Sequence, residues 1–345
     1  MSWAPLITSL CEKPGVSEII VRDDGTISTV VRAQIERVLA KETAGSYEEL
    51  LKLIFPSGIP ELGRRAYEHA TYVDKLRLRV SYARILGGRE LCLRPFRPQI
   101  LSPEEAGIPE RVTSCFRRLL QGGLMLVAGQ MGSGKSTTVA ALSHHLARQV
   151  SKRWGTLEDP VEIILPSAEN GSTFSQRSVG EECESFAQGL KEARRQHFHA
   201  IVVGEIRDAE TAEQCLRGAL MGNLMVATIH GGDASDSLRS FIAEMPKEKW
   251  TWAYNALASS LKILMVQRLL YHPETGKVVP LHEVLLNFPE HTAVAIHIRT
   301  GDFDSIPNDI ANGRPEGMQS FRDSLRKRVD AGDLPKSMLR EASLI

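Results

Sequence analysis

Apolar and polar residues follow two different rhythms along this chain, and the change falls near residue 110. Residues 17–31, SEIIVRDDGTISTVV, form two short β-branched runs separated by Asp23, Asp24 and Gly25, which predicts a hairpin. SYEELLKLIF, residues 46–55, predicts a helix that Ser46 caps and Glu49 closes into a capping box. KLRLRVSYAR, residues 75–84, alternates: Leu76, Leu78, Val80 and Tyr82 share one strand face, Arg77 and Arg79 the other. RELCLRPF, residues 89–96, reads as a second strand. The first hundred residues thus predict a small α+β domain built on a sheet. PFRPQILSPEEAGIP carries prolines at 95, 98, 103 and 109 and reads as a linker. Within it, Ser102-Pro103-Glu104-Glu105 predicts an ordered capping box with proline at the first helical position.

Beyond the linker the pattern becomes α/β. A helix, ERVTSCFRRLL, leads to an apolar strand at 124–128, a glycine loop and a helix over KSTTVAALSHHLARQV. AIVVGEI (200–206) and LMVATIH (224–230) read as further apolar strands between helical segments, which predicts a parallel sheet with helices on its faces. TWAYNALASSLKILMVQRLL, residues 251–270, reads as one long apolar helix before a hairpin across Glu274-Thr275-Gly276, and the tail from 290 reads as polar and helical. The expected division is an N-terminal domain at 1–97, a linker at 98–109 and an α/β domain with a C-terminal helical segment at 110–345.

Composition narrows the function. With 345 residues the chain has room for two domains. Lys plus Arg and Asp plus Glu number 42 each, so the charge excess that bulk nucleic-acid binding needs is missing, and direct nucleic-acid binding is not expected. No run of 18 apolar residues occurs, so no membrane span is expected, and the first residues do not read as a signal peptide. Five scattered cysteines without a CxxC pair fit a reduced, cytoplasmic protein rather than a zinc ribbon.

The chemistry concentrates in four segments. GQMGSGKSTT, residues 129–138, fits G-x-x-x-x-G-K-[ST] between an apolar strand and a helix, which identifies a P-loop. Gly129, Gly132, Ser133, Gly134, Lys135, Ser136 and Thr137 form its cradle: backbone N–H groups curl round phosphates, Lys135 adds a point charge, and Ser136 offers a hydroxyl to Mg²⁺. IVVGEIRD places Glu205 at the end of a buried strand, where a carboxylate can polarise the attacking water. TLEDPVE supplies Glu158 and Asp159 for a metal and water network, and ATIHGGDA places His230 where an imidazole can reach a γ-phosphate.

In this order the four segments resemble the Walker A, Asp box, Walker B and His box of the secretion and traffic ATPases of bacterial type II and type IV systems. The chain looks closest to their PilT-like group, which includes pilus-retraction motors and the DotB/TraJ-like ATPases of type IVB secretion and conjugation. The resemblance implies an N-terminal PAS-like domain followed by a RecA-like ATPase domain, ATP and Mg²⁺ as ligands, a homohexameric ring, and inner-membrane secretion or pilus machinery as partners of a cytoplasmic, peripheral protein. It also implies that the strands of KLRLRV…LCLRPF carry arginines toward the nucleotide, with Arg79 and Arg94, fifteen residues apart, in those positions. The sequence departs from the family at His197 and His199, which stand where Pro-Asp is usual, and at the His box, which reads His-Gly-Gly-Asp. A regulatory subunit that binds nucleotide without hydrolysing it, a nucleic-acid motor and a small-molecule kinase are the rival readings. Secretion, conjugation and pilus retraction stay open among the motor readings.

Overall fold

The structure, a computed structural model, describes residues 2–13, 15–31, 34–38, 45–56, 58, 66–96, 99–289 and 292–339. Pro98 of the expected linker and Arg97 lie outside the described residues. The chain divides into two compact units, Met1–Pro98 with Pro160–Glu162, and Gln99–Asp159 with Ile163–Ile345.

The first unit contains α1 (Trp3–Cys11), β1 (Val16–Arg22), β2 (Ile27–Val31), β3 (Gln34–Val38), α2 (Tyr47–Ile54), β4 (Ala66–Val73), β5 (Leu76–Ile85) and β6 (Gly88–Pro95). Its six strands form one antiparallel sheet in the order β3-β2-β1-β6-β5-β4. The Asp-Gly hairpin forms as expected: Gly25 takes φ 83° and the Asp24 carboxylate accepts from Thr26 N at 2.8 Å. The Ser46–Glu49 capping box also forms. Leu78, Val80, Leu91 and Leu93 are fully buried and pack with Ile7 of α1 and Leu50 and Ile54 of α2. Helix α1 and strands β3 and β4 carry no clean alternation, and sequence reasoning passed over them.

The second unit contains α3 (Glu110–Phe116), continued by a 3-10 turn to Gln121, then β7 (Gly123–Ala128), α4 (Lys135–Gln149), β8 (Arg153–Glu158), β9 (Thr173–Ser178), α5 (Phe186–Arg195), β10 (Ala200–Val203), α6 (Ala209–Leu220), β11 (Leu224–Ile229), α7 (Ala234–Ala243), α8 (Trp250–Ser260), β12 (Leu261–Tyr271), β13 (Val278–Leu286), α9 (Thr292–Thr300), α10 (Ile306–Asn312) and α11 (Phe321–Asp330). The sheet order is β13-β12-β7-β11-β10-β8-β9, and every neighbouring pair is parallel except β12–β13. Ser102 and Glu105 exchange their capping hydrogen bonds, but they close a turn at 103–107 rather than a helix.

One element overturns expectation. The helix expected over 251–270 ends at Ser260, and Leu261–Tyr271 is a strand between β7 and β13. Leu261, Ile263, Leu264, Met265 and Val266 are all fully buried. A strand covered on both faces is apolar throughout, so its pattern does not differ from that of a buried helix. The boundary is fixed by a distant residue: Asn287 Nδ2 donates to the carbonyls of Ala258 (2.9 Å) and Leu261 (2.8 Å), satisfying the last turn of α8.

Candidate active site

Parallel pairing brings the four motifs together. β7, β11, β10 and β8 are adjacent and run in one direction, so their C-terminal ends open on one edge of the sheet. The P-loop follows β7, His230 follows β11, Gly204-Glu205 follow β10, and Glu158 ends β8. Open α/β sheets bind ligands at this edge.

The loop is shaped for an anion. Gly129, Gly132 and Gly134 all have positive φ (152°, 76° and 86°), and a Cβ at Gly129 would stand 2.5 Å from both Gln267 O and Ser133 Oγ. Nothing lies within 4 Å of a Cβ at Gly132, so that glycine faces open space. Helix α4 starts from Gly134 with no side-chain cap, leaving its first amide N–H groups directed at the loop. Ser133 Oγ is buried without a hydrogen-bond partner among the described residues. Lys135 Nζ donates to the carbonyls of Gly129 (2.8 Å) and Gln130 (3.0 Å), which holds the ammonium across the loop. Burial lowers its pKa, and the negative charge of Glu205 works against that shift. Ser136 is exposed at the first turn and Thr137 is half-buried behind it. These donors fit a phosphate group.

Arg207 organises the acidic groups. Its Nε and Nη2 donate to Glu205 Oε2 at 2.7 and 2.6 Å, and its Nη1 reaches Asp159 Oδ2 at 3.3 Å. The other Glu205 oxygen lies 2.5 Å from His230 Nε2. Glu205, His230, Asp159 and Arg207 therefore form one polar cluster. Glu158 is turned elsewhere: Oε1 accepts from Thr156 Oγ1 (2.6 Å) and Gln176 Nε2 (3.2 Å). It lines, with Ser136, Gly204 and Thr228, a cavity of about 30 Å³. A hydroxyl and a carboxylate on one small cavity are hard oxygen donors of the kind Mg²⁺ takes.

The departure in the His box has a packing cause. A Cβ at Gly231 would meet Ser237 Oγ at 2.1 Å and Ser237 Cα at 2.9 Å, so α7 passes too close for a side chain. Asp233 then caps α7, accepting from Asp236 N at 2.8 Å. His199 Nδ1 accepts from Arg153 N at 3.2 Å, and no group of three metal-ligating side chains occurs among the described residues.

In the first unit, Arg79 and Arg94 are register partners on β5 and β6. Arg79 Nη1 lies 3.3 Å from Glu162 Oε1 and Arg94 Nη2 lies 2.7 Å from Glu18 Oε1. Like charges directly opposite repel, and the two carboxylates offset that repulsion.

Sequence reasoning missed three site neighbours. Arg207 stood inside the quoted GEIRD segment, two residues from Glu205 and on its side of the strand end. Arg268 donates to the Gly232 carbonyl (2.7 Å), and Glu283 accepts from Ala234 N (2.6 Å), so β12 and β13 hold the His-box turn from below. Burial pushes the Glu283 carboxyl up to about 7, against the opposing pull of the Ala234 N–H.

The chain matches the family described as type II/IV secretion system protein over residues 54–300. It is 35% identical over 261 residues to the uncharacterized protein YggR of Escherichia coli K12, covering 76% of this chain and 78% of that one. The crystal structure of the pilus retraction motor PilT with bound ADP superposes with a TM-score of 0.78 at 25% identity, covering 94% of this chain and 96% of that one. The Legionella pneumophila ATPase DotB shares the fold, with a TM-score of 0.80 at 19% identity over 100% of this chain and 97% of that one. Among the described residues no helix is long and apolar enough to cross a membrane.

Proposed function

The chain belongs to the type II/IV secretion system protein family and is a nucleotide-binding ATPase of it, and from that premise we propose that it is a hexameric motor of type IV secretion, conjugation or pilus dynamics, working from the cytoplasm at the inner membrane. The observation that carries this reading is the convergence of the P-loop, Glu205, Asp159 and His230 on one sheet edge, with Arg207 bonded to both carboxylates.

The residues take distinct roles. Lys135 and the loop amides bind the β- and γ-phosphates. Ser136 and Glu158 are the candidate holders of Mg²⁺, which when bound neutralises phosphate charge. Glu205 orients and polarises the attacking water, with Arg207 fixing its carboxylate. His230 hydrogen-bonds the γ-phosphate. Arg79 and Arg94 compensate the charge of the transition state, which a P-loop alone leaves unbalanced. Each would exchange its carboxylate partner for phosphate oxygens, a modest cost because partly exposed ion pairs contribute only about 0–1 kcal/mol.

The experiment is ATP turnover by the purified chain, with its mass in solution. Lys135→Ala should lose nucleotide binding, while Glu205→Gln should bind ATP and fail to hydrolyse it. Wild-type turnover in Glu205→Gln would remove the assignment. Tight ATP binding with no turnover in the unaltered chain would turn the reading to a regulatory subunit.

A further inference from the structure

Beneath the P-loop lies a polar side chain that none of the four motifs contains. Gln267, on β12 one residue beyond the pairing of Val266 with Ala128, is 3% exposed. Its Nε2 donates to the Ser133 carbonyl at 2.6 Å, and its Oε1 accepts from Thr138 Oγ1 at 2.6 Å. Its backbone carbonyl packs against Gly129, and its Nε2 would stand 2.9 Å from a Cβ at Gly134. One residue thus meets both ends of the glycine loop and the first turn of α4.

We propose that Gln267 is a positioning residue for ATP hydrolysis, whose buried amide holds the P-loop in the shape that receives phosphate. In a trans peptide the C=O of one residue and the N–H of the next point in opposite directions. Drawing the Ser133 carbonyl down onto Gln267 therefore turns the Gly134 N–H away from the sheet, toward the mouth of the loop. The Thr138 bond fixes the first turn of α4, and with it the direction of the free amides at Lys135 and Ser136.

The amide has one consistent orientation. The Ser133 carbonyl only accepts, so the nitrogen must face it, and the oxygen then faces Thr138 and His282 Nε2 at 3.3 Å. His282 accordingly carries its proton on Nε2. Burial, with the nearby Arg328 charge, holds its pKa down at about 3, so the ring stays neutral at ordinary pH. Its own backbone is tied to α11 and the segment before it: His282 N donates to Ser324 Oγ (3.0 Å) and Gln319 Nε2 donates to His282 O (3.0 Å). A glutamate at 267 would offer no donor to Ser133, and a methionine would keep the volume but make neither bond.

This inference rests on the ATP-site reading, and the experiment separates the two. Binding of a fluorescent ATP analogue and ATP turnover are measured on the full chain for Gln267→Met, Gln267→Glu, Thr138→Val, Thr138→Ser and Lys135→Ala, with nucleotide-free melting recorded alongside. Gln267→Glu, which loses the Ser133 bond, should bind nucleotide about tenfold more weakly, the size of one lost buried hydrogen bond, and Gln267→Met, which loses both bonds, should bind at least as weakly. Thr138→Val should lose part of that affinity and Thr138→Ser should keep it, with melting close to wild type. Combining Gln267→Met with Thr138→Val should cost less than the sum of the two. Wild-type affinity in Gln267→Met while Lys135→Ala is dead overturns this inference alone, as does equal loss in Thr138→Val and Thr138→Ser. If Gln267→Met does not fold, that threonine pair decides the matter. Binding that Lys135→Ala leaves untouched overturns the ATP site, and this inference with it.

Discussion

Replacing Glu283 by glutamine should make the second unit more stable at pH 8 and leave it nearly unchanged at pH 4.5. Glu283 accepts the Ala234 N–H at 2.6 Å, at the start of α7, where a helix N-terminus favours negative charge. Burial outweighs that benefit and Asp233 adds to it, so the carboxyl rises from its ordinary 4.5 to about 7 despite the N–H and Arg268. A carboxyl with a raised folded-state pKa contributes stability that is fully present below pH 4.5 and is lost as pH rises through 7. At about 1.4 kcal/mol per pH step between the two values, the loss is about 3 kcal/mol. Glutamine keeps the shape and can still accept the Ala234 N–H, but it carries no charge to desolvate. The assay is urea unfolding of both proteins from pH 5 to 8, followed by the fluorescence of Trp154, which is fully buried in the second unit's core. The advantage of Glu283→Gln should grow with pH, levelling near pH 8. A difference that is flat with pH, or a wild type that gains on the variant as pH rises, would refute the reasoning.

Two further outcomes follow from the site. Arg207→Ala frees Glu205 Oε2 and Asp159, so kcat should fall about tenfold while the KM for ATP stays within about threefold, because orientation is lost rather than binding. Gly231→Ala drives a Cβ to within 2.9 Å of Ser237 Cα, and the shift of α7 should lower stability by about 1–3 kcal/mol, read by thermal unfolding, and displace His230.

What the sequence disclosed was local. The P-loop is one uninterrupted stretch whose glycines are needed at neighbouring positions, and Gly129, Gly132 and Gly134 all take positive φ there. The two strands that carry Arg79 and Arg94 were legible at 75–84 and 89–96, but the pair itself came only from the family resemblance, and their pairing as register partners is seen in the structure alone. Strand β12 was not legible, because a strand buried on both faces lacks the polar side that distinguishes period 2 from period 3.6. Strand β9, TFSQRS, is polar because it lies at the edge of its sheet, and it carried no signal either.

The misreading of β12 hid the supporting layer of the site as well as an element. Residues after a strand can be recognised from sequence, since turns and loops have their own vocabulary of glycine, proline and acid. Gln267, Arg268, His282 and Glu283 act from within strands, and their partners Ser133, Gly232, Ser324 and Ala234 come from other parts of the chain. Only the pairing of β12 with β7 and β13 brings them under the loops. One cue was nevertheless present. A glutamine followed by an arginine interrupts the apolar run LKILMVQRLL, and a polar group in such a run costs stability unless it is hydrogen-bonded. That cost requires partners for Gln267, and the fold supplies them in the Ser133 carbonyl and the Thr138 hydroxyl.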